Sequence, residues 1–151
     1  MAEDRNTVPS QFQIFKKRSA MRLQLDKPDR PDQKYKVGCL YLQAANARDG
    51  DGTKNGYMWE EAKISVKIGV NDITQLKHKL QSDMPVELFH TFNDDTKTIK
   101  FEPKEGGGYF LNLASNSKGQ KSSVNVPLSE EEVSSLITML TFALPLIHNW
   151  M

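Results

Sequence analysis

Hydrophobic and polar residues alternate along most of the chain, with the two-residue period of strands whose faces meet different surroundings. The alternation predicts eight strands, in the segments QFQIFKKR, MRLQLDKP, CLYLQAAN, KISVKIG, VELFHTF, KTIKFEPK, FLNLASNS and KSSVNVPL. Two other stretches carry apolar residues at helical spacing, and each follows a strand directly. Their apolar stripes are Ile73, Leu76 and Leu80 in the first, and Val133, Leu136, Ile137 and Leu140 in the second. The chain is therefore predicted to contain four strands and a helix, twice over.

The two halves match each other in pattern. KISVKIGVND from Lys63 aligns without gaps to KSSVNVPLSE from Lys121, so that Val66 pairs with Val124. The hairpin before this segment is about 13 residues longer in the first half, an insertion that a surface loop tolerates. The two halves share the same order of strands and helix although their sequence identity is low, and this predicts a tandem repeat.

Both predicted helices begin with a capping signal. In the first half the signal is Asn71 or Asp72. In the second half it is Ser129, which forms a capping box with Glu132 at the third helical position. We expect each helix to begin at these residues.

Strand parity divides the side chains between two faces of each sheet. The apolar face, which we expect the helices to cover, contains Met21, Leu23, Leu25, Leu40, Leu42, Ala44, Ala62, Ile64, Val66, Ile68, Ile99, Phe101, Tyr109, Leu111, Leu113, Val124, Val126 and Leu128. The opposite face contains Arg22, Gln24, Tyr41, Gln43, Trp59, Lys63, Ser65, Lys67, Thr98, Lys100, Asn112, Ser123 and Asn125.

The polar face has the composition of a platform for single-stranded nucleic acid. Cations neutralise phosphates, amides bond to base edges, and aromatic rings stack on bases. We expect contacts from Lys17, Arg22, Gln24, Tyr41, Gln43, Trp59, Lys63, Ser65, Lys67, Lys100, Asn112 and Asn125. Two other interpretations stay open: lysines on a solvated sheet face need no ligand, and a subunit interface would also cover Tyr41 and Trp59.

The repeat and its strand-to-helix segment KISVKIGVNDITQLKHKL resemble the Whirly and transcriptional positive-cofactor-four superfamily. The resemblance extends from Phe12 to Trp150. It implies an α+β fold of two tandem strand-strand-strand-strand-helix repeats, with antiparallel sheets and helices on one side. It also implies single-stranded DNA or RNA held across the β-surface, and assembly through the helices. We expect a flexible N-terminus at 1–11, then a single domain at 12–151, made of repeat one at 12–84 and repeat two at 85–151.

Charge restricts the nucleic-acid site to a local patch. Twenty basic and nineteen acidic side chains leave a formal charge of +1, so no overall field attracts a polyanion. Basic residues cluster early in the chain, at Lys16, Lys17, Arg18, Arg22, Lys27, Arg30, Lys34 and Lys36.

The sequence predicts an intracellular, non-secreted protein. The first residues lack the apolar core of a signal peptide, and Cys39 is the only cysteine, so no disulfide forms within the chain. The apolar stretch from Leu136 to Trp150 is too short for a membrane span, which needs about 20 residues.

No catalytic arrangement stands out. His78, His90 and His148 are scattered, and the sequence has no HExxH, CxxC or GxSxG spacing. The segment DGDGTKNGYMWE resembles a calcium loop, but Lys54 occupies the position of its glycine. We interpret it as a mobile hairpin tip, and we expect no enzyme activity, cofactor or metal.

The C-terminal helix has more apolar residues than one sheet can cover. We expect Phe142, Leu144, Ile147 and Trp150 to form a homo-oligomer contact, with Pro145 kinking or ending the helix. The alternative is a tail that folds back on the first helix.

These patterns favour a sequence-tolerant binder of single-stranded nucleic acid, with DNA preferred over RNA. Such a protein would support DNA replication, recombination or transcription. The alternative is a protein-interaction or scaffold module that uses the aromatic sheet face.

Overall fold

A computed structural model describes residues 10–26, 38–148 and 150 of the chain. Its strands are β1 (Ser10–Phe15), β2 (Ser19–Asp26), β3 (Cys39–Asn46), β4 (Ile64–Ile68), β5 (Val86–Phe92), β6 (Asp95–Pro103), β7 (Tyr109–Ser117) and β8 (Gln120–Leu128). Its helices are the single turns α1 (Gly52–Asn55) and α2 (Trp59–Ala62) and the longer α3 (Val70–Gln81) and α4 (Glu130–Ile147). A 3-10 turn lies at Arg48–Gly50.

The strands form two four-stranded antiparallel sheets, in the orders β1-β2-β3-β4 and β5-β6-β7-β8. Leu23 lies opposite Leu42, which lies opposite Val66. The second sheet has the matching row Ile99, Leu113 and Val124. The predicted fold of two tandem strand-strand-strand-strand-helix units, with helices on one side of the sheets, is confirmed.

The apolar faces of both sheets and the two long helices share one core. Almost all of the predicted apolar face is buried in it, where a fully buried leucine or valine contributes about 1.5 to 3 kcal/mol. Two predicted members differ: Leu25 is half-buried, and Ala62 is exposed because it ends the helical turn α2 and is not part of a strand. Ile137 of the second helical stripe is also only half-buried.

Each long helix contacts the sheet of the other repeat. The helix α4 packs on β2 and β3, and α3 contacts β5 as well as β4. At the two ends of α4, Lys16 forms an ion pair with Glu132, and the backbone N–H of Gly38 donates to the carbonyl of Ile147 at 2.8 Å. Separating the repeats would therefore expose the core of both.

The last strand of each sheet also meets the other sheet. The Ser19 hydroxyl at the start of β2 donates to the carbonyl of Asn125 in β8 at 2.6 Å. In the corresponding place of the other repeat, the Lys97 ammonium in β6 donates to the carbonyl of Ser65 in β4 at 2.6 Å. Carbonyls on the outer edges of β4 and β8 are thereby satisfied, and β1 and β5 remain as the outer strands.

The helix α4 begins as predicted. The backbone N–H of Glu132 donates to the Ser129 hydroxyl at 3.1 Å, and the Ser129 N–H donates to the Glu132 carboxylate at 2.9 Å. The helix ends at Ile147, two residues after Pro145. Among the described residues, no helix is long and apolar enough to cross a membrane.

The predicted cap of the first long helix is wrong. The N-cap residue of α3 is Gly69, which follows β4 directly, so Asn71 and Asp72 already lie in the first helical turn. Because that end of a helix carries partial positive charge, Asp72 is favourable there without capping it.

Candidate nucleic-acid interface

The polar face of the first sheet, here called the outer face, brings together half of the predicted contact residues. One cross-strand row contains Gln24, Tyr41 and Lys67, and the next contains Arg22, Gln43 and Ser65. On β1, Gln11 lies opposite Gln24, and Gln13 lies opposite Arg22. Because side chains alternate across each strand, all of these residues share one face. Neither row contains a carboxylate.

Gln43 is buried although it belongs to the outer face, with 5% of its surface exposed. Its side-chain oxygen accepts from Arg22 Nε at 2.5 Å, and its amide nitrogen donates to the Ser65 hydroxyl at 3.0 Å. Both ends of the amide are thus engaged. This geometry favours a role in holding Arg22 and Ser65, whereas direct contact of Gln43 with a base stays a prediction.

A run of aromatic rings continues from Arg22 along this face. The guanidinium carbon of Arg22 lies 4.2 Å from the centre of the Trp59 ring. The Trp59 ring lies 6.4 Å from that of Tyr57, which stacks on Phe15 at 5.5 Å. We call Phe15, Tyr57 and Trp59 the aromatic column. It rests on the small side chains of Ala20 and Ala45, which leave room for rings against the sheet.

The position of Trp59 corrects the strand assignment. Trp59 begins the helical turn α2, so it reaches the outer face without belonging to a strand of the sheet. The segment 47–58, here called the insertion, carries Tyr57 and leads into this turn. The contribution of Trp59 to the outer face therefore comes from the path of the insertion and not from strand parity.

The insertion has regular structure where a mobile hairpin tip was expected. Asp51 caps α1 by accepting from the Thr53 N–H at 3.1 Å and the Thr53 hydroxyl at 2.6 Å, and these bonds lower the pKa of Asp51. Arg48 forms a two-bond ion pair with Glu61, at 2.5 and 2.9 Å. Asp51, one of the carboxylates of the segment that resembles a calcium loop, is thus engaged in helix capping.

The single ring of the insertion, that of Tyr57, is held closely. A β-carbon on Gly52 would lie 2.2 Å from the Tyr57 ring, so the ring packs directly on the glycine backbone. The Tyr57 hydroxyl donates to the carbonyl of Lys16, and burial raises the pKa of this phenol. The phenol therefore stays neutral and remains a hydrogen-bond donor.

Three predicted contact residues lie apart, on the polar face of the second sheet. Lys100, Asn112 and Asn125 form one cross-strand row, in which the Asn112 amide donates to that of Asn125 at 2.7 Å. Lys100 forms an ion pair with Glu102 at 3.2 Å and lies opposite Glu87 on β5. Two glutamates thus offset the positive charge of Lys100, whereas the two rows of the first sheet that contain Arg22 and Lys67 have no carboxylate.

The remaining predicted cations border the first sheet. Lys17 lies in the turn between β1 and β2, and Lys63 joins α2 to β4; both are exposed. From the early basic cluster, Lys27, Arg30, Lys34 and Lys36 lie outside the described residues.

Three exposed phenylalanines on the polar faces were missed by the sequence interpretation. Phe15 of β1 is 53% exposed, Phe89 of β5 is 65% exposed, and Phe110 of β7 is 51% exposed. Strand parity was sufficient to place these phenylalanines on the polar faces, because each one is adjacent in its strand to a buried residue: Ile14, Leu88 or Leu111. The predicted outward residues include the aromatic Tyr41 and Trp59 but not these three phenylalanines.

The sequence model described as Whirly transcription factor matches residues 14–139. A comparison with curated protein sequences gives no match.

Solved structures agree with this assignment. WHY1 from Arabidopsis thaliana superposes with a TM-score of 0.80 at 25% identity, covering 95% of this chain and 93% of its own. WHY3 from the same plant has a TM-score of 0.80 at 27% identity, covering 98% and 92%. A guide-RNA-binding protein complex bound to its RNA shares the fold, with a TM-score of 0.58 at 15% identity and coverage of 93% and 92%. With most of its length matched, the chain belongs to the Whirly family of single-stranded nucleic-acid-binding transcription factors.

Proposed function

We propose that this protein binds single-stranded nucleic acid on the outer face of the first sheet, with little sequence preference and with DNA preferred over RNA. The observation that carries the proposal is the placement of Arg22 over the ring of Trp59, with Lys67 and Tyr41 in the neighbouring cross-strand row and no carboxylate in either row. Binding of this kind supports transcription, replication or recombination, because each process exposes unpaired strands.

An open sheet favours single strands over duplex for a geometric reason. Bases of a single strand are free to stack on exposed rings, whereas those of a duplex already stack on each other. Duplex readers usually insert a helix or a β-ribbon into a groove. Here α3 and α4 pack on the sheets through their apolar stripes, and the cations of the site lie on a sheet face.

Titration of labelled oligonucleotides at two salt concentrations tests the proposal. We expect single-stranded DNA to bind more tightly than single-stranded RNA, and both to bind more tightly than duplex. Lys67→Ala should weaken binding to all sequences and reduce the salt slope by about one unit, the loss of one phosphate contact. Lys77→Ala removes the same charge from α3 and should change neither the affinity nor the salt slope. Equal or tighter binding to duplex contradicts the proposal, and tighter binding to RNA contradicts the DNA preference.

We further propose that copies of the chain assemble through the outward side of α4. Phe142 is 52% exposed there, and Met139 is exposed beside it. Both line an apolar groove with Phe12 and Leu25 of the first sheet. Of the other residues expected at this contact, Trp150 is exposed and Leu144 is half-buried. Ile147 was assigned wrongly, because it is fully buried in the core of its own chain.

A protein-interaction module is the second candidate function. Exposed Phe89 and Phe110 favour it, because they lie on a sheet face where two glutamates adjoin Lys100. Salt separates the two functions: phosphate contacts release counterions and weaken steeply with salt, whereas an apolar contact does not.

A further inference from the structure

We propose that Asn55 is a site of spontaneous deamidation, and that the isoaspartate formed there releases the insertion from the first sheet. The modification goes beyond nucleic-acid binding, and both the reaction and its structural effect are measurable on the protein alone.

The insertion contains the residue pairs that are best suited to succinimide chemistry. In Asp49–Gly50, Asp51–Gly52 and Asn55–Gly56, a side-chain carbonyl precedes a glycine, whose nitrogen has no side chain beside it. The nitrogen attacks the side-chain carbonyl carbon and closes a ring. From asparagine the ring closure expels ammonia, which takes the proton of the attacking nitrogen, and water then opens the ring to aspartate or isoaspartate. Asn55–Gly56 is the only asparagine–glycine pair in the sequence.

The fold protects the pair Asp51–Gly52. Hydrogen bonds from Thr53 hold the Asp51 carboxylate, and the Gly52 N–H donates to the carbonyl of Lys17 at 2.7 Å. Ring closure from aspartate also requires the protonated acid, and the bonds from Thr53 lower the pKa of Asp51. The pair Asp49–Gly50 is exposed, but aspartate reacts more slowly than asparagine at neutral pH because a carboxylate is a poor electrophile. The reactive pair is therefore Asn55–Gly56.

Asn55 lies where the backbone opens most easily. It is exposed and occupies the last position of α1. The Gly56 N–H donates to the carbonyl of Gly52 at 3.0 Å, and this bond must break before the nitrogen attacks. However, α1 is a single turn of four residues, and a helix this short has little stability of its own. The opening of α1 therefore controls the rate of the reaction.

Isoaspartate lengthens the main chain at a point where the insertion is anchored. The link from Asn55 to Gly56 then runs through the former side chain and gains one carbon atom. The Gly56 carbonyl accepts from the Arg48 N–H at 2.9 Å, and the next residue, Tyr57, forms a bridge with Ala47. A longer link moves these groups out of register, and the Tyr57 ring loses its place against the sheet.

The reaction also adds a negative charge beside an existing ion pair. A β-carbon on Gly56 would lie 3.4 Å from Arg48 Nη1, so the preceding residue borders this guanidinium. A carboxylate at Asn55 competes with Glu61 for Arg48. Aspartate and isoaspartate both carry the charge, but only isoaspartate lengthens the chain.

Peptide mass spectrometry after incubation of the intact protein at neutral pH tests the modification. We expect the peptide that contains Asn55 to gain the mass of an amide-to-acid exchange faster than the peptide that contains Asn93. Asn93 is the matched control within the chain, because it is exposed in a turn but has no glycine after it. Equal rates at the two asparagines overturn the proposal.

The control of the rate by α1 has its own test. Gly52→Ala displaces the Tyr57 ring and should speed the reaction at Asn55 by about fivefold or more, because overpacking raises the population of the opened turn. Gly69→Ala, where a β-carbon meets nothing within 4 Å, should leave the rate unchanged. The parent unfolded in urea should react faster than the folded parent, and equal rates there contradict control by α1.

The structural effect is measured on fresh and incubated protein. The incubated parent should have a lower melting temperature, and its Trp59 fluorescence, in a Trp150→Phe background, should shift toward that of an exposed indole. Incubated Asn55→Gln should keep both values, because glutamine would have to close a larger ring that forms far more slowly. Asn55→Asp adds the charge without the longer chain. If fresh Asn55→Asp already shows the full change, or if the incubated parent shows none, release by isoaspartate is overturned.

One consequence rests on the proposed function. The incubated parent should bind single-stranded DNA about fivefold more weakly or worse, because Trp59 loses the support of Tyr57. Failure of the fresh protein to bind any single strand contradicts the proposed function but leaves the deamidation tests intact. Equal affinity of fresh and incubated protein, after complete modification of Asn55, contradicts this consequence alone.

Discussion

The central guanidinium carbon of Arg22 lies over the Trp59 ring, 4.2 Å from its centre. A cation over an aromatic face is worth about 0.5 to 2 kcal/mol, more when water is excluded. Gln43 binds the same guanidinium from the sheet. The charge that would meet a phosphate is thus held between a ring and a buried amide.

We predict that Trp59 stacks on a base. Trp59→Ala should weaken binding by about 1 to 3 kcal/mol, and Trp59→Phe should recover part of the loss because a ring remains. Adding oligonucleotide should also change tryptophan fluorescence, measured in a Trp150→Phe background because Trp150 emits as well. An unchanged spectrum there places Trp59 outside the site.

Gln43→Leu should lower both stability and affinity. The substitution keeps the size of the side chain but leaves Arg22 Nε and the Ser65 hydroxyl without their partner, at a cost of about 1 to 3 kcal/mol in the free energy of unfolding. Gln24→Leu is the matched control for stability on the neighbouring row, and we expect the free energy of unfolding to change by no more than about 0.5 kcal/mol because Gln24 is less buried. Denaturant melts and titrations measure both effects. Equal losses of stability in the two variants would show that the hydrogen bonds of Gln43 to Arg22 and Ser65 contribute nothing to folding.

Assembly should depend on Phe142. Phe142→Lys places a charge on the outward side of α4, and we expect a smaller particle by light scattering. Thr138→Lys, an exposed position on the same helix, is the control for added charge. Truncation after Thr141 is unsuitable because it removes buried Ala143 and Ile147. A parent protein that is already monomeric at micromolar concentration contradicts the prediction.

Glu132 should make stability depend on pH. Partial burial raises the pKa of its carboxyl, but hydrogen bonds from Lys16 and from the Ser129 N–H outweigh this, so the pKa lies below its ordinary value of 4.5. A lowered folded-state pKa gives stability that is complete above the unfolded pKa and is lost as pH falls through the folded one.

The comparison variant is Glu132→Gln, which retains an acceptor for the Ser129 N–H but loses the ion pair. We expect it to be less stable than the parent at pH 7 by about 0.5 to 1 kcal/mol, with the difference disappearing as the pH falls well below 4.5. If the stability difference stays constant over this pH range, it arises from the capping hydrogen bond and not from the ion pair.

Gly52→Ala should loosen the insertion. Its β-carbon would displace the Tyr57 ring, and overpacking of this kind costs about 1 to 3 kcal/mol. We expect weaker binding as well, because Tyr57 supports Phe15 and the turn at Lys16. Gly69→Ala is the control for affinity: its β-carbon meets nothing within 4 Å, and it changes the N-cap of α3 without touching the insertion, so binding should be unchanged. If Gly52→Ala lowers stability but leaves affinity unchanged, the Tyr57 ring does not contribute to binding.

Local patterns in the sequence were sufficient to predict the strands, the two faces of each sheet and the start of α4. Alternation places Leu23, Leu42 and Val66 on one face because the period of a strand is two, whatever the sheet packs against. The capping box of Ser129 and Glu132 is equally local, since it involves residues three positions apart.

Only the tertiary structure decided which surfaces meet. An apolar stripe on α4 indicates burial but not the partner, and Ile147 is buried because the helix crosses to the first sheet. Gln43 has the same parity as Tyr41, yet only packing shows that its amide lies between Arg22 and Ser65. Trp59 reaches the site because the insertion folds onto Ala20 and Ala45, a contact between distant segments that no local period encodes. Strand periodicity is determined by neighbours in the chain, whereas the site is assembled by long-range packing.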